Sequence, residues 1–415
     1  MTNRFLLLAC ADCATTYPTD YHSRCTKCGG ILEAHYRLDG KFPTDFESRS
    51  IWDFADFLPP VKEENVVSLG EGWTPYVESP NFAKRLGLRR IWCKLEGCNP
   101  TGSFKDRTVS LGLSLAREWG KGGVFAASDG NAAAAISAYS ARARIKCLIL
   151  ISDDAPTQKL AQIMMYSPAL LRVRGLYESA SSLESALAVA QSVLPDWLNL
   201  FIWAPYNPLL VEPYKTIAYE IALSKEIPDY IFVPVAGGEL LSGISRGFQE
   251  LREMGMLDST PKLVAVQGKG ADPTVQAIEK GLDKVLETGP PVTVAGAIRV
   301  NFGAEHSIKA VRKSGGFGIS VSDEQILNAQ KQIARDEGIF CEISSAVALA
   351  AISEALSLGK IGADETAGSI LTGAGLKDYF STDADLSRVP ISESVSSLSM
   401  TLKKVIVAGR TEVAA

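Results

Sequence analysis

Lys94-Leu-Glu-Gly-Cys-Asn-Pro-Thr-Gly-Ser-Phe-Lys-Asp-Arg107 is the stretch on which the reading of this chain turns. Asn99, Pro100 and Gly102 punctuate a turn, and the apolar run through Val109, Leu111, Leu113 and Leu115 reads as a helix. Lys105 stands where the turn becomes helix, so its backbone is held. A lysine fixed and partly desolvated at such a junction has a lowered pKa, which frees its amine to form a Schiff base with an aldehyde. The alternative is a solvated lysine in the first turn of an ordinary helix.

The segment resembles the cofactor-lysine motif of the fold type II pyridoxal-phosphate enzymes, most closely that of the threonine synthase group, whose pattern runs much like Asn99 to Arg107. The resemblance implies that Lys105 is the lysine that holds pyridoxal 5′-phosphate. Ser68-Leu-Gly-Glu-Gly-Trp-Thr-Pro75, by itself a Gly/Pro-rich loop, looks like the Gly-Glu-Gly-x-Thr-Pro segment that precedes this motif in the same family.

Beyond the lysine helix, Val124-Phe-Ala-Ala-Ser128 reads as a buried strand, followed by Asp129-Gly130-Asn131 and an alanine-rich helix. Strand, glycine turn and helix start place N–H groups and an amide where a carboxylate or an electron-rich ring oxygen would bind. The order resembles the family's Ser-x-Gly-Asn loop. That implies Asn131 as the partner of the cofactor's phenolic oxygen and Ser128, Asp129 and Gly130 as the holders of the substrate carboxylate. Strands at 146–152, 171–174 and 200–203 alternate with helices near 159–165 and over 181–193, an arrangement that predicts βαβ crossovers and a parallel sheet. Residues about 90–205 are then one smaller lobe, inserted in a larger one.

A helix over 209–223 leads to Tyr230-Ile-Phe-Val-Pro-Val-Ala-Gly-Gly-Glu-Leu-Leu-Ser-Gly243, an apolar strand that empties into paired glycines and then a helix. Main-chain N–H groups and the positive helix end suit such a turn to a phosphate dianion, although a plain strand-to-helix turn has the same pattern. In the resembling family Gly237, Gly238, Glu239 and Leu240 hold the cofactor's phosphate. Glu239 takes a place that usually has a small residue, and because a carboxylate beside phosphate is repulsive, its side chain is expected to point away. Glu337-Gly-Ile-Phe-Cys-Glu342 with Ser344-Ser-Ala, and Ser369-Ile-Leu-Thr372-Gly-Ala-Gly-Leu-Lys-Asp378, resemble two further family segments. The second implies Thr372 as a hydroxyl against the pyridine nitrogen, where it leaves the ring a weaker electron sink than an aspartate would.

At the N-terminus Cys10-x-x-Cys13 and Cys25-x-x-Cys28 form two knuckles whose four thiolates would close a tetrahedral structural zinc site. Free cysteines in a hairpin, a redox pair or a nucleic-acid-binding ribbon are the alternatives, and His22 is a possible substitute ligand. Arg4, Arg24, Lys27 and Arg37 are balanced by Asp12, Asp20, Glu33 and Asp39, so the ribbon forms no basic patch. Many threonine-synthase-like chains carry a similar ribbon.

The expected organisation is an α/β, two-lobed fold type II enzyme with mostly parallel sheets: a zinc ribbon at 1–40, a catalytic domain at 41–385 and a tail at 386–415. In that tail Val405 and Ile406 would form a late strand or a subunit contact. With 415 residues the chain can bury a full core, and a net charge of −5 argues against a general nucleic-acid binder. No apolar run is long enough to span a bilayer, and the first residues are too short and too polar for a signal peptide, so the expectation is a cytoplasmic protein. The family resemblance implies a homodimer.

The expected reaction follows from departures. In the threonine synthase group the substrate phosphate is held by a threonine after the loop asparagine and by an Asn-Ser-x-Asn-Pro-x-Arg run; here these places read Ala132 and Ala204-Pro205-Tyr-Asn207-Pro-Leu-Leu210. Loss of such donors leaves a doubly charged group unpaired at a cost of several kcal/mol. Asp129-Gly-Asn131 resembles diaminopropionate ammonia-lyase, in which the aspartate is an acid/base; helix capping is the alternative role. The expected protein is therefore a lyase that eliminates or replaces a group at Cβ or Cγ of a small amino acid. The alternatives are threonine synthase proper, with phosphate ligands drawn from elsewhere such as Lys215 or Arg299, a diaminopropionate ammonia-lyase-like or serine/threonine dehydratase-like deaminase, or a non-catalytic zinc-ribbon binding protein.

Overall fold

A computed structural model of the chain describes residues 3–377, apart from 19–21, 40, 44–45, 156 and 304, together with residue 399. The tail and its expected contact at Val405 and Ile406 lie outside the described residues.

The chain begins with a three-stranded antiparallel ribbon of β1 (Phe5–Cys10), β2 (Thr16–Tyr17) and β3 (Leu32–Tyr36), ordered β2-β1-β3. After it come β4 (Tyr76–Glu78), α1 (Pro80–Leu86), β5 (Arg90–Leu95) and α2 (Lys105–Glu118). Then β6 (Gly123–Ala127), α3 (Asn131–Ala143), β7 (Lys146–Ser152), α4 (Thr157–Met165), β8 (Ala169–Val173), α5 (Ala180–Val193) and β9 (Trp197–Asn199) build a parallel sheet ordered β8-β7-β6-β9. The rest of the described chain is α6 (Lys215–Leu223), β10 (Tyr230–Pro234), α7 (Glu239–Glu253), β11 (Lys262–Gly268), α8 (Pro273–Glu279), α9 (Glu305–Ser314), β12 (Gly318–Val321), α10 (Asp323–Glu337), α11 (Ile343–Ser357) and β13 (Thr366–Leu371).

The larger sheet is ordered β12-β11-β10-β13-β5-β4 and is parallel except for β4. Its central strands are unbroken apolar or small runs, as expected where helices cover both faces: β10 and β13 are buried at every residue. This is the mixed α/β, two-sheet architecture expected. The decisive topological feature is that β13, last in sequence, lies between β10 and β5. Its insertion sets the ends of three strands side by side: β5 empties into the lysine turn, β10 into the paired glycines, and β13 into Thr372. In open parallel sheets ligands bind at such carboxyl ends.

Three local expectations are corrected. Arg90–Leu95 belongs to the larger sheet, paired with β13 from Arg90↔Thr366 to Leu95↔Leu371, so the smaller sheet starts only at β6. The strand expected at 200–203 is instead Trp197–Asn199, because pairing with β6 stops at Phe125↔Asn199 and the chain then turns inward on Phe201 and Trp203. The helix expected over 209–223 is a tight helix at Pro208–Tyr214 followed by α6; Pro213 has no N–H to continue an α-helical ladder.

The ribbon docks on the far side of the lysine helix, where Leu8 and Leu32 pack with Leu111, Leu115 and Leu209. The Lys215 ammonium lies 3.6 Å from the centre of the Tyr36 ring, and Arg246 donates to the Ala34 carbonyl. Among the described residues, no helix is long and apolar enough to cross a membrane.

Candidate active site

Lys105 opens α2. The turn before it is clipped to the end of β13 by Phe104 N–H to Thr372 O at 3.0 Å and Ala374 N–H to Gly102 O at 2.9 Å. Inside the turn the buried Asp106 carboxylate accepts from the Thr101 amide at 2.6 Å and from its hydroxyl, and Lys377 donates to Thr101 O at 2.8 Å. Burial pushes Asp106 up to about 7.

Beneath the helix start lies a balanced set of buried charges. Arg107 bonds Glu96 at 2.7 Å and Glu220 at 2.9 Å, and Lys94 bonds Glu220 at 2.6 Å. Burial opposes the charge on Glu220, but Arg107 and Lys94 hold it at about 2. Two cations against two anions, all hydrogen-bonded, fix the first turn of α2 from below.

The Lys105 side chain is half-buried, its ammonium 4.6 Å from the centre of the Phe104 ring. Desolvation pushes its pKa below the ordinary lysine value, while Glu239 and Glu342 act in the opposite direction. The free amine is therefore more accessible than at a solvated lysine.

Two residues from two remote segments meet on the Glu342 carboxylate. Asn131, first in α3, donates its amide to Oε2 at 2.9 Å, and Thr372 donates its hydroxyl to Oε1 at 2.9 Å. Ser345 shares a 2.9 Å hydrogen bond with Thr372. A Cβ on Gly373 would stand 2.5 Å from the Glu342 carboxyl carbon, so a larger residue there would have to move that carboxylate. Asn131 and Thr372 are thus brought together as the sequence suggests. Glu342, which joins them, and Ser345, which steadies Thr372, lie in a segment whose sequence alone gives neither a role.

Ser128, Asp129 and Gly130 form the turn after β6. Ser128 Oγ accepts from Gly130 N–H at 3.3 Å. Asp129 accepts from the Ser152 amide at the end of β7, at 2.9 Å, and Gly130 is the residue that precedes α3.

Gly237 and Gly238 form the turn between β10 and α7, Gly238 at φ +103°, a conformation that favours glycine. Leu240 is buried in the first turn of α7. Glu239 does not point away. Its carboxylate folds back over the turn, so that a Cβ on Gly237 would stand 2.7 Å from one of its oxygens, and it accepts from Ala204 N–H at 3.1 Å. Burial pushes its pKa up, with Lys105 acting against that shift. His306 Nε2 lies 3.8 Å from the same carboxylate. A lone histidine at the start of a short helix carries no sequence signal, and only the fold brings His306 here. A cleft of about 370 Å³ between β3, α7 and α9 reaches this end through Ala204, Ser242 and His306, while Lys105 is not on its wall.

The residues fit the cofactor the resemblance implies. The desolvated Lys105 amine feels the Glu342 carboxylate, which binds the Asn131 amide and the Thr372 hydroxyl, and the Glu239 carboxylate, which lies over a glycine turn whose neighbours crowd a Cβ at Gly237 or Gly238.

In the ribbon the sulfurs of Cys10, Cys13, Cys25 and Cys28 all lie within 4.8 Å of one another. Those of Cys10 and Cys28 are 3.4 Å apart and those of Cys13 and Cys25 3.5 Å, close to the roughly 3.8 Å edge that Zn–S bonds of about 2.3 Å give a tetrahedron. Tyr17 donates to Cys25 at 3.1 Å, and its ring lies tilted 4.9 Å from that of His22, which is outside the cluster.

A family model for pyridoxal-phosphate dependent enzymes matches residues 67–373. The chain is 36% identical to the threonine synthase of Methanocaldococcus jannaschii over 384 residues, covering 90% of this chain and 93% of that one. Against the threonine synthase of Methanosarcina acetivorans it is 36% identical over 383 residues, 89% and 92% of the two chains. Among solved structures, maize serine racemase is similar in fold, with a TM-score of 0.64 at 22% identity over 81% of this chain and 93% of that one. A T.th. threonine deaminase reaches a TM-score of 0.60 at 25% identity over 72% and 92%.

Proposed function

Because the chain belongs to the pyridoxal-phosphate dependent enzymes of fold type II, a lyase of the threonine synthase and dehydratase group, we propose that it eliminates or replaces a group at Cβ or Cγ of a small amino acid other than phosphohomoserine. The observation that carries this reading is Leu210. It takes the place of the family's phosphate-binding arginine and is buried in the apolar cluster with Val109, Leu113, Leu198 and Leu200. A guanidinium there would be desolvated without a partner. Ala132 and Pro205 offer no side-chain donor, and Lys215 is buried in ion pairs with Glu212 at 2.9 Å and Glu250 at 3.0 Å.

When bound, the cofactor supplies an electron sink for the pair left at the substrate Cα. Lys105 holds the cofactor and, as a neutral desolvated amine, takes the α-proton. Asn131 and Thr372, oriented through Glu342, hold the ring, Gly237 to Leu240 hold its phosphate, and Ser128, Asp129 and Gly130 hold the substrate carboxylate. Asp129, by its likeness to the ammonia-lyase aspartate, protonates the leaving group. In the ribbon Cys10, Cys13, Cys25 and Cys28 hold a structural zinc ion.

A second reading, threonine synthase activity, is favoured by the 36% identity to two threonine synthases along nearly their whole length. The two separate when the cofactor-loaded protein is incubated with phosphohomoserine, serine, threonine and diaminopropionate, and phosphate, ammonia and 2-oxo acid are assayed. Ammonia and 2-oxo acid from one of the last three supports the lyase; phosphate release with threonine formation overturns it.

A further inference from the structure

Glu239 opens α7, where the first N–H groups have no partner within the helix. A helix start preceded by glycines is a seat for an anion. Here the seat has a resident, the Glu239 carboxylate itself, with both oxygens within 2.8 Å of the place a Gly237 Cβ would take and one of them bonded to the Ala204 amide. One turn of chain provides both the cradle and a charge inside it.

A second observation comes from a different element. His306, in α9, is 8% exposed, and among the described residues neither of its ring nitrogens has a hydrogen-bond partner. Its Nε2 would lie 3.3 Å from a Cβ on Gly238, so the ring faces the cradle. Trp203, whose ring edge would lie 2.9 Å from a Gly237 Cβ, has an indole N–H in the same condition. Burial, with Arg246 and Lys309 adding to it, pushes His306 down to about 3, which leaves a neutral imidazole with one N–H to donate. Buried polar groups are rarely left unpaired, so two unpaired donors on the wall of an anion seat point to an oxyanion with more acceptors than a carboxylate has. A phosphate dianion has that chemistry.

We propose that Glu239 and His306 together set how tightly this protein holds the phosphate of its cofactor: the Glu239 carboxylate is the anion that phosphate must displace, and His306 is a donor that completes the phosphate's ligand set. The inference rests on the cofactor site of the proposed function and adds two opposed contributions from this chain's own residues. Glu239 weakens phosphate binding and His306 strengthens it.

The test is an equilibrium titration of the full-length cofactor-free protein, followed by tryptophan fluorescence and visible absorbance. Wild type, E239Q, E239S and H306Q are each titrated with pyridoxal 5′-phosphate, with pyridoxal, and with inorganic phosphate as a competitor. Pyridoxal, which lacks the phosphate, reports any effect on Lys105 alone. E239Q and E239S are expected to bind pyridoxal 5′-phosphate about tenfold more tightly, and H306Q about tenfold more weakly, a change of about 1.4 kcal/mol each. Pyridoxal affinity should shift by less than about twofold in each, and inorganic phosphate should compete in the same order as the cofactor. Equal cofactor affinity in all four proteins, or equal shifts for pyridoxal and its phosphate, overturns the proposal while leaving the cofactor site intact. A wild type that neither binds the cofactor saturably nor yields a borohydride-trapped adduct at Lys105 overturns the proposed function as well.

Discussion

The two ends of the site are built on opposite terms. At the lysine end every buried charge has a partner: Arg107 with Glu96 and Glu220, Lys94 with Glu220, Asp106 with Thr101. At the glycine end a carboxylate sits on an anion seat beside an imidazole with no hydrogen bond among the described residues. A closed network rigidifies because removal of any member strands another. An end with unsatisfied groups is where a ligand has most to gain. The lysine end is finished by the chain, and the glycine end is left for a ligand to finish.

The largest expected effect breaks the comparison at its first end. Lys105→Ala should abolish the visible band formed on adding pyridoxal 5′-phosphate and leave nothing for borohydride to trap, read by absorbance and mass spectrometry; a persisting adduct at another lysine would remove Lys105 from the site. Nearly as large is the effect of Cys25→Ser, which should reduce bound zinc from about one ion per chain to none by metal analysis, without altering the Lys105 band. That tests whether the ribbon is separate from both ends, and unchanged metal content would reject the zinc assignment.

Arg107→Met, which leaves Glu96 and Glu220 with too little positive charge, should cost about 3–5 kcal/mol in urea unfolding. E239Q at the other end should cost less than about 1 kcal/mol, because a desolvated carboxylate is there exchanged for an uncharged amide. Equal costs would erase the contrast between the two ends. The smallest effect is on acid stability. His306 is held near 3 in the folded protein, against 6.5 ordinarily, so between these values the unfolded chain takes up a proton that the folded one refuses. Wild type should therefore lose stability relative to H306Q as pH falls from 6.5 toward 4, with parallel behaviour above 7, measured by thermal melting across pH.

Those contrasts follow the line between what was legible in the sequence and what was not. β7 was readable to the residue as Lys146–Ser152, and the starts of α2 and α3 to within a position or two, because each is set by its own apolar pattern and punctuation. The helix-start positions of Lys105 and Asn131 and the clustering of the four cysteines were legible because each lies in a short segment whose neighbours carry the signal. Glu342 was in plain view in a quoted segment, yet its part in joining Asn131 to Thr372 depends on two segments remote in sequence.

The sequence by itself determined an α/β chain with a lysine at a turn-to-helix junction, a paired-glycine turn and a four-cysteine ribbon, since turns, helix starts and metal knuckles are local chemistry. Only the tertiary structure decided that β13 lies between β10 and β5, that Asp129 serves the end of β7, and that the Glu239 carboxylate folds into its own cradle beside His306. The physical reason is the same in each case. Which strand pairs with which, and which way a buried charge turns, depend on desolvation and partners that exist only once distant segments have closed around them.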